Sequence, residues 1–204
     1  MKNKGILMAD VIKSRKSEAQ QLARDLKRIT LHINHEFIYG TESPLTITLG
    51  DEFQGIYNHV EKAIEIIISI EEFIITNEMN IKLRYVAHQG EISTRINHKM
   101  AHGMLGKGLT HAREELNKMK KGKDRFKIIY EKPKRYNELF VLYQSFVDSW
   151  KEKDLKYVNA FIKHQDYKQV AEATDKTISQ MWKREKSLHI REYGIIKSLI
   201  LQND

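Results

Sequence analysis

Along the first part of the chain, the spacing of apolar residues is strand-like in some segments and helix-like in others. Residues 5–12 form an apolar run broken by one acid, which is typical of a central strand covered on both faces. Helical spacing of apolar residues recurs over 22–37, 60–76 and 109–119, and strand-like patterns over 81–87 and 126–130. With a hairpin between the first two helices, the predicted order is βαββαβ followed by a helix and a strand.

The hairpin is predicted from the segment between the first two helices. Apolar and polar residues alternate over 46–49, Gly50 and Asp51 interrupt the pattern, and a second run follows. A Gly-Asp pair between two strands favours a tight primed turn, because glycine readily adopts the positive φ that this turn requires. The turn therefore presents two neighbouring carboxylates, Asp51 and Glu52, at the tip of a rigid element.

This order of elements predicts an α+β fold of the ferredoxin-like (split βαβ) type, with an antiparallel sheet and helices on one face. In that topology the first strand lies beside the hairpin, so Asp10 would lie near Asp51 at one edge of the sheet. A carboxylate on a buried strand is costly unless it is paired. Paired carboxylates are hard oxygen ligands of the kind that Mg²⁺ uses when it also carries a phosphate.

We therefore expect a metal site formed by Asp10 and Asp51, with Glu52 either a third ligand or a solvated side chain. Two alternatives remain open from the residues alone. Asp10 could end its strand in solvent, and Asp51 could be present only because aspartate is a favoured turn residue.

The chain changes character near Pro133, because helical spacing replaces strand-like alternation after it. We expect one domain over residues 1–131 and a small all-α module over residues 132–204. Within the module, residues 167–184 predict a helix-turn-helix, with a small residue in the first helix, a short polar turn and a basic second helix.

The second helix of this motif would begin at Thr177, whose hydroxyl can cap it. Asp175 stands where a glycine is usual. The residues expected to contact DNA are Thr177, Ser179, Gln180, Lys183 and Arg184. The alternative is a plain three-helix bundle that serves dimerisation.

Charge and composition indicate a class of partner and a cellular compartment. The formal net charge is +8, and the basic excess is concentrated in residues 118–134 and 176–191, which suggests a polyanionic partner or, alternatively, ordinary solubilising charge. Cysteine is absent, which fits a reducing compartment. No run approaches the ~18 apolar residues of a membrane span. We expect a cytoplasmic protein that binds no membrane.

Four motifs resemble the catalytic domain of the class III nucleotidyl cyclases and, more loosely, that of the diguanylate cyclases. Residues 8–14 resemble the first cyclase strand, whose Asp binds metal and precedes a small hydroxyl residue, and residues 49–53 resemble the hairpin that supplies the second metal ligand. Residues 84–91 resemble a later strand, and residues 106–113 resemble the glycine-containing start of a cyclase helix. The whole chain, with its helical module, is similar to the SatD family of small bacterial proteins.

The resemblance implies a nucleotide ligand, Mg²⁺ as its metal and a homodimer. The residues expected to contact the nucleotide are Ser14, Gly50, Lys107 and Arg113. Ring closure needs positive charge near the developing phosphate oxyanion. The cyclase helix supplies an Asn and an Arg for this step, and the matching positions here are Thr110 and Glu114. The purine-selecting Lys is matched by Ile47.

Three functional hypotheses follow. The first is a DNA-binding regulatory protein whose degenerate cyclase-like domain binds a metal–nucleotide ligand. The second is a metal-dependent enzyme that transfers nucleotidyl groups or hydrolyses nucleoside triphosphates with Asp10 and Asp51. The third is an interaction scaffold in which the sheet domain dimerises. The replaced ring-closing residues favour binding over turnover.

Overall fold

The computed structural model describes residues 2–12, 18–48, 50–130 and 133–202. They form five strands and eight helices in a mixed α+β fold. In chain order these are β1 (Lys2–Val11), α1 (Ala19–Glu36), β2 (Thr41–Ile47), β3 (Glu52–Tyr57), α2 (Val60–Thr76), β4 (Leu83–Ile92), α3 (Lys107–Met119), β5 (Phe126–Ile129), α4 (Pro133–Val147), α5 (Glu152–His164), α6 (Tyr167–Ala173), α7 (Ile178–Ser187) and α8 (Ile190–Leu201).

The predicted order of strands and helices is confirmed over the described residues, and helix α2 has the predicted bounds. Three strands are longer than predicted. Strand β1 begins at Lys2, three residues before the predicted start. Strand β2 begins at Thr41, before the alternating segment, and β4 continues through Gly90 to Ile92. Backbone pairing with β1 extends β4, because the β1–β4 ladder runs from Lys2 opposite Ile92 to Val11 opposite Leu83.

The sheet has the strand order β2-β3-β1-β4-β5, with β1 at its centre. Strand β1 runs antiparallel to both of its neighbours, whereas β4 and β5 are parallel. The expected fully antiparallel sheet is therefore wrong at this edge. The physical reason is that α3 crosses over between β4 and β5, and such a crossover joins parallel strands.

Helices cover both faces of the sheet, which corrects the expectation that they lie on one face. Leu7 of β1 faces a core formed with α1 and α2, whereas Ile6 and Met8 face a second core formed with Leu109 and Leu116 of α3. Successive strand residues point to opposite faces. Because β1 is apolar at both sets of positions, both faces need a cover.

Helix α3 lies close against β4 at its first turn. A Cβ atom on Gly108 would stand 2.7 Å from the backbone of Gly90 and Glu91, a distance that real side chains do not reach. The two glycines therefore let the helix backbone approach the strand, which fixes where the rest of α3 runs across the sheet.

The C-terminal helices pack on the face of the sheet that α1 and α2 also cover. Phe140 of α4 stacks on Phe126 of β5, and Tyr143 of α4 meets the same ring edge to face. Tyr193 of α8 contacts both Tyr143 and Trp150. These residues belong to the same apolar cluster as the sheet core. A smaller cluster joins α5, α6 and α7. The division at residues 131 and 132 stays a prediction.

A buried ion network connects the sheet to α2 and α4. Arg125 donates from Nη2 to both carboxylate oxygens of Glu71 at 2.6 and 2.7 Å, and from Nη1 to Asp148 at 2.8 Å. Its Nε donates to the carbonyl of Leu83, and the Tyr85 hydroxyl donates to Glu71. Burial by itself would lower the pKa of Arg125, but Glu71 and Asp148 outweigh it and raise that pKa. The guanidinium is therefore held charged in the core.

We predict that Arg125→Met destabilises the protein by about 3–5 kcal/mol, because it leaves the Glu71 carboxylate buried without its cation. Urea unfolding followed by circular dichroism measures this loss. The double variant Glu71→Met/Arg125→Met should recover a large part of it, since no charge then remains unpaired at the centre of the network. Lys134→Met, which removes one partner of an exposed α4 pair with Glu138, is the control and should leave stability unchanged.

Candidate functional site

The candidate ligand site lies where β1, β3 and β4 stand side by side near the hairpin. Asp10 of β1 is directly opposite Glu52 of β3 on one side and Arg84 of β4 on the other. Residues opposite each other in neighbouring strands point to the same face of the sheet. Asp10 lies two residues after Met8 in β1, so both side chains point to the same face of the sheet. This is the face that α3 covers.

Three cations surround the two carboxylates. Arg84 Nη1 donates to both oxygens of Asp10, at 2.8 and 3.0 Å, and Arg113 Nη1 of α3 donates to Glu52 at 2.9 Å. The Nζ of Lys120, just after α3, lies 3.3 Å from Asp10 and 3.6 Å from Glu52. We call these five residues the Asp10 cluster. Sequence reasoning found both acids and Arg113 but missed Arg84 and Lys120.

Burial dominates the electrostatics of the cluster. Asp10 is only 3% exposed, and burial raises the pKa of its carboxyl above the ordinary value, while Arg84 and Lys120 act in the opposite direction. Arg84 is 8% exposed, and its Nε has no hydrogen-bond partner among the described residues. The cluster therefore retains a buried donor that an oxygen acceptor could satisfy.

The hairpin holds Asp51 next to β1 through its backbone. Gly50 has a φ of +63°, as the Gly-Asp turn predicts, and the Asp51 carbonyl accepts a hydrogen bond from the Val11 N–H at 3.1 Å. The half-buried Asp51 carboxylate makes no hydrogen bond or ion pair with the part of the chain described. Glu52, rather than Asp51, stands directly opposite Asp10. Ser14 lies outside the described residues.

The structure brings only some of the predicted nucleotide contacts together. Arg113 belongs to the Asp10 cluster, and Gly50 is in the adjoining hairpin. Lys107 is exposed at the start of α3, six residues before Arg113. That separation is about 9 Å along a helix axis. Lys107 therefore lies nearly two turns of α3 away from Arg113, outside the Asp10 cluster.

The donor set of the Asp10 cluster suits a divalent cation that brings its own further ligands. No three His, Cys, Asp or Glu side chains converge on a metal position in the residues described. Mg²⁺ is usually held by one or two carboxylates, with water and substrate phosphates completing its shell. The place between Asp10 and Glu52 already attracts a cation, namely the Lys120 ammonium. Two carboxylates there fit a partly hydrated ion.

The predicted DNA-binding segment forms two helices joined by a short turn. Helices α6 and α7 pack against α5 through Phe161, Ala171 and Met181. The Thr177 hydroxyl accepts from the Gln180 N–H, and the Gln180 side chain accepts from the Thr177 N–H, so this pair caps α7 as predicted. Asp175 has a φ of +52° and adopts the left-handed conformation that glycine usually supplies at such a turn.

Helix α7 turns a polar and basic face to solvent. Ser179 and Lys183 are exposed on it, and Lys186 lies 3.7 Å from the ring centroid of the exposed Trp182. Arg184 differs from the other predicted DNA contacts. It pairs with Asp154 of α5 at 3.0 Å and lies over the Tyr157 ring, so it holds α7 against α5.

Comparison with known proteins assigns the chain to a family. The fold is a mixed α+β architecture with a five-stranded sheet and helices on both faces. The family model described as the SatD family matches residues 6–197, so the chain belongs to the SatD family. A search of the curated proteins finds no match.

Two solved structures, each of a bacterial light-regulated adenylyl cyclase, are weakly similar. The first matches with a TM-score of 0.44 and 15% identity over 62% of this chain and 43% of the other. The second matches with a TM-score of 0.43 and 15% identity over 62% of this chain and 74% of the other. The chain thus corresponds to less than half of the first cyclase.

None of the helices described here has the length and apolarity to cross a membrane.

We predict that Arg84→Met destabilises the protein by about 3 kcal/mol, because Asp10 then keeps only the partly exposed Lys120 as a counterion. Adding Asp10→Asn should recover much of the loss, since the remaining group is neutral. Urea unfolding of the two single variants and the double variant gives the coupling free energy. Additive effects of the two substitutions would contradict a direct Arg84–Asp10 interaction.

Proposed function

We propose that this SatD family member is a bacterial regulatory protein that binds DNA through α6 and α7, which we infer to be a helix-turn-helix. We further propose that its sheet domain, a degenerate relative of the nucleotidyl cyclases, binds a metal–nucleotide ligand. The observation that carries the DNA-binding proposal is the capped helix α7. Its inner side packs on α5 and α6 while its basic side faces solvent.

The three-helix packing supports a recognition role for α7. Ala171 is small and buried, which lets α6 and α7 cross closely, and Met181 is the buried residue of α7. The opposite side of α7 exposes Ser179, Lys183 and Lys186 to solvent, as a helix that enters a major groove must. The side chains proposed for DNA contact are Thr177, Ser179, Gln180 and Lys183, with Arg184 positioning the helix from behind.

The charge around α7 supports a polyanionic partner. Lys176, Lys183 and Lys186 are exposed and make no ion pair within the described residues. Unpaired lysines attract phosphates and release condensed counterions on binding, so affinity should fall steeply as salt rises. A homodimer, which we also propose, would place two such helices on two half-sites of one DNA duplex.

The arrangement of the first four strands supports the ferredoxin-like class for the sheet domain. Their order β2-β3-β1-β4, with α1 and α2 on one face, agrees with the split βαβ topology. Strand β5 and helix α3 then extend that unit on its β4 side.

The Asp10 cluster supports the metal–nucleotide proposal. Asp10 and Glu52 would hold Mg²⁺ through carboxylate oxygens, and the ion would neutralise phosphate charge when bound. Asp51, in the adjoining turn, remains a proposed further ligand. Arg84 offers its unsatisfied buried Nε–H, and Arg113 offers a partly exposed guanidinium. Both are planar donors suited to phosphate oxygens. Ser14, Gly50 and Lys107 remain proposed nucleotide contacts.

We predict that Lys176→Glu/Lys183→Glu weakens binding to non-specific duplex DNA and lowers the slope of log affinity against log salt by about 2, one unit for each lost phosphate contact. Fluorescence anisotropy with labelled DNA at several salt concentrations measures both effects. Helix α7 should keep its fold, because both lysines are exposed.

The matched control is Lys27→Glu/Lys99→Glu, which makes the same charge change at exposed positions of the sheet domain. It should leave the salt slope unchanged. If both double variants lowered the affinity equally, overall charge rather than α7 would account for the binding, and the DNA-recognition proposal would fail.

We predict nucleotide binding without turnover, because the two positions on α3 that match ring-closing residues carry no positive charge. The Thr110 hydroxyl donates to the Gly106 carbonyl of its own helix, and Glu114 is exposed and acidic. Incubation with each of the four ribonucleoside triphosphates and Mg²⁺ or Mn²⁺, followed by chromatographic analysis, tests this. A product that forms with the wild-type protein and disappears in Asp10→Asn and Asp51→Asn would support the enzyme hypothesis instead.

A further inference from the structure

Lys120 has an unusual position for a lysine at the end of a helix. It follows the last turn of α3, where its backbone N–H donates to the Asn117 carbonyl. Its side chain is 42% exposed, yet its Nζ lies within 3.6 Å of both Asp10 and Glu52. Of the three cations in the Asp10 cluster, Lys120 is the one that bridges both carboxylates, since Arg84 pairs with Asp10 and Arg113 pairs with Glu52.

A bridging cation is needed because the two carboxylates face each other across neighbouring strands. Like charges in directly opposite strand positions repel and destabilise the sheet. Asp10 and Glu52 occupy such positions, and both side chains are largely buried. The point between them is therefore the most favourable place in the cluster for a positive charge, whether an ammonium group or a metal ion.

We propose that Lys120 is a tethered cation that occupies the position between the Asp10 and Glu52 carboxylates in the free protein, and that a metal–nucleotide complex binds by displacing it. This inference rests on the metal–nucleotide site proposed above. A divalent ion between the carboxylates and an ammonium group in contact with both repel each other strongly at such short range. One of them has to leave when the other is present.

Lys120 is the member of the cluster best able to leave. Its compact ammonium group is well hydrated and sits on a flexible four-carbon chain, whereas the guanidinium of Arg84 is buried against β1. Its side chain is already 42% exposed, so a rotation towards solvent uncovers little additional surface. The phosphates of an incoming nucleotide would give the released ammonium a new partner, which a bare metal ion would not.

This exchange makes the site selective for a metal ion that arrives with phosphate. A free divalent ion must displace Lys120 and leaves it with water, so it binds weakly. A metal–triphosphate complex displaces the same lysine and then uses it as a phosphate contact. Lys120 therefore lowers the affinity for free metal and contributes to the affinity for the complex.

Binding of Mn²⁺, followed through the loss of its free-ion electron paramagnetic resonance signal, tests the proposal. Lys120→Met should bind Mn²⁺ at least about tenfold more tightly than the wild-type protein, because a competing positive charge is removed from the site. Lys121→Met is the matched control, since it removes an exposed lysine one position away. It should bind Mn²⁺ as the wild type does.

A second arm repeats the titration with ATP and Mn²⁺ together. The advantage of Lys120→Met over the wild type should shrink or reverse, because the lysine now contacts phosphate. Asp10→Asn in the Lys120→Met background should abolish Mn²⁺ binding, which shows that the gained site is the Asp10 cluster. Urea unfolding confirms that each variant is folded, and Lys120→Gln repeats the comparison if Lys120→Met is not.

The outcomes separate this inference from the function on which it rests. Equal Mn²⁺ affinity of the wild type and Lys120→Met would overturn the role of Lys120 and leave the metal site standing. Tight Mn²⁺ binding by Lys120→Met, with none by the wild type even with ATP, would support the tethered cation and overturn the proposed ligand of the natural chain. No binding by either protein in either arm would overturn both proposals.

Discussion

The buried charge of Arg125 is the constraint on which the meeting of the sheet, α2 and the end of α4 depends. Arg125 leads into β5, Glu71 belongs to α2, and Asp148 follows α4, so one guanidinium requires three distant segments to meet. An unpaired charge in a core is far more costly than a misplaced methyl group. An arrangement in which α4 docks elsewhere on the sheet would lose the Arg125–Asp148 contact and leave the buried guanidinium with Glu71 as its carboxylate partner. The aromatic cluster around Phe126 packs beside this network, with the Arg125 guanidinium 5.0 Å from the Phe126 ring centroid.

The register of the central sheet produces the candidate ligand site in a similar way. Alternation along β1 directs Leu7 and Ala9 to the face covered by α1 and α2, and directs Met8 and Asp10 to the face covered by α3. A slip of one residue would exchange the two sets, and Asp10 would enter an apolar core without Arg84. The apolar residues of β1 thus hold the carboxylate in place, although they contribute nothing to its chemistry. Packing and site geometry are two results of one pairing pattern.

Local signals in the sequence were sufficient for much of this structure. Helical spacing defined α2, and the hydroxyl of Thr177 marked the start of α7, because both depend on neighbours within one turn of helix. The proximity of the hairpin to β1 followed from the order of elements. The position of α3 did not follow from that order. Helical spacing shows which residues of a helix are apolar, but not which face of a sheet they cover. Arg84, Lys120 and the Arg125 network were missed for a related reason: ion pairs between residues far apart in sequence leave no periodic trace.

The two tryptophans of the chain occupy opposite environments, which gives the protein two natural optical probes. Trp150 is buried beside Tyr193, and its indole N–H donates to the Leu188 carbonyl at 2.9 Å. Trp182 is 42% exposed on α7, with the Lys186 ammonium over its ring. A charged quencher in solution can reach the second indole and not the first. Emission from Trp150 therefore follows the docking of the helices on the sheet, while emission from Trp182 follows whatever approaches the outer face of α7.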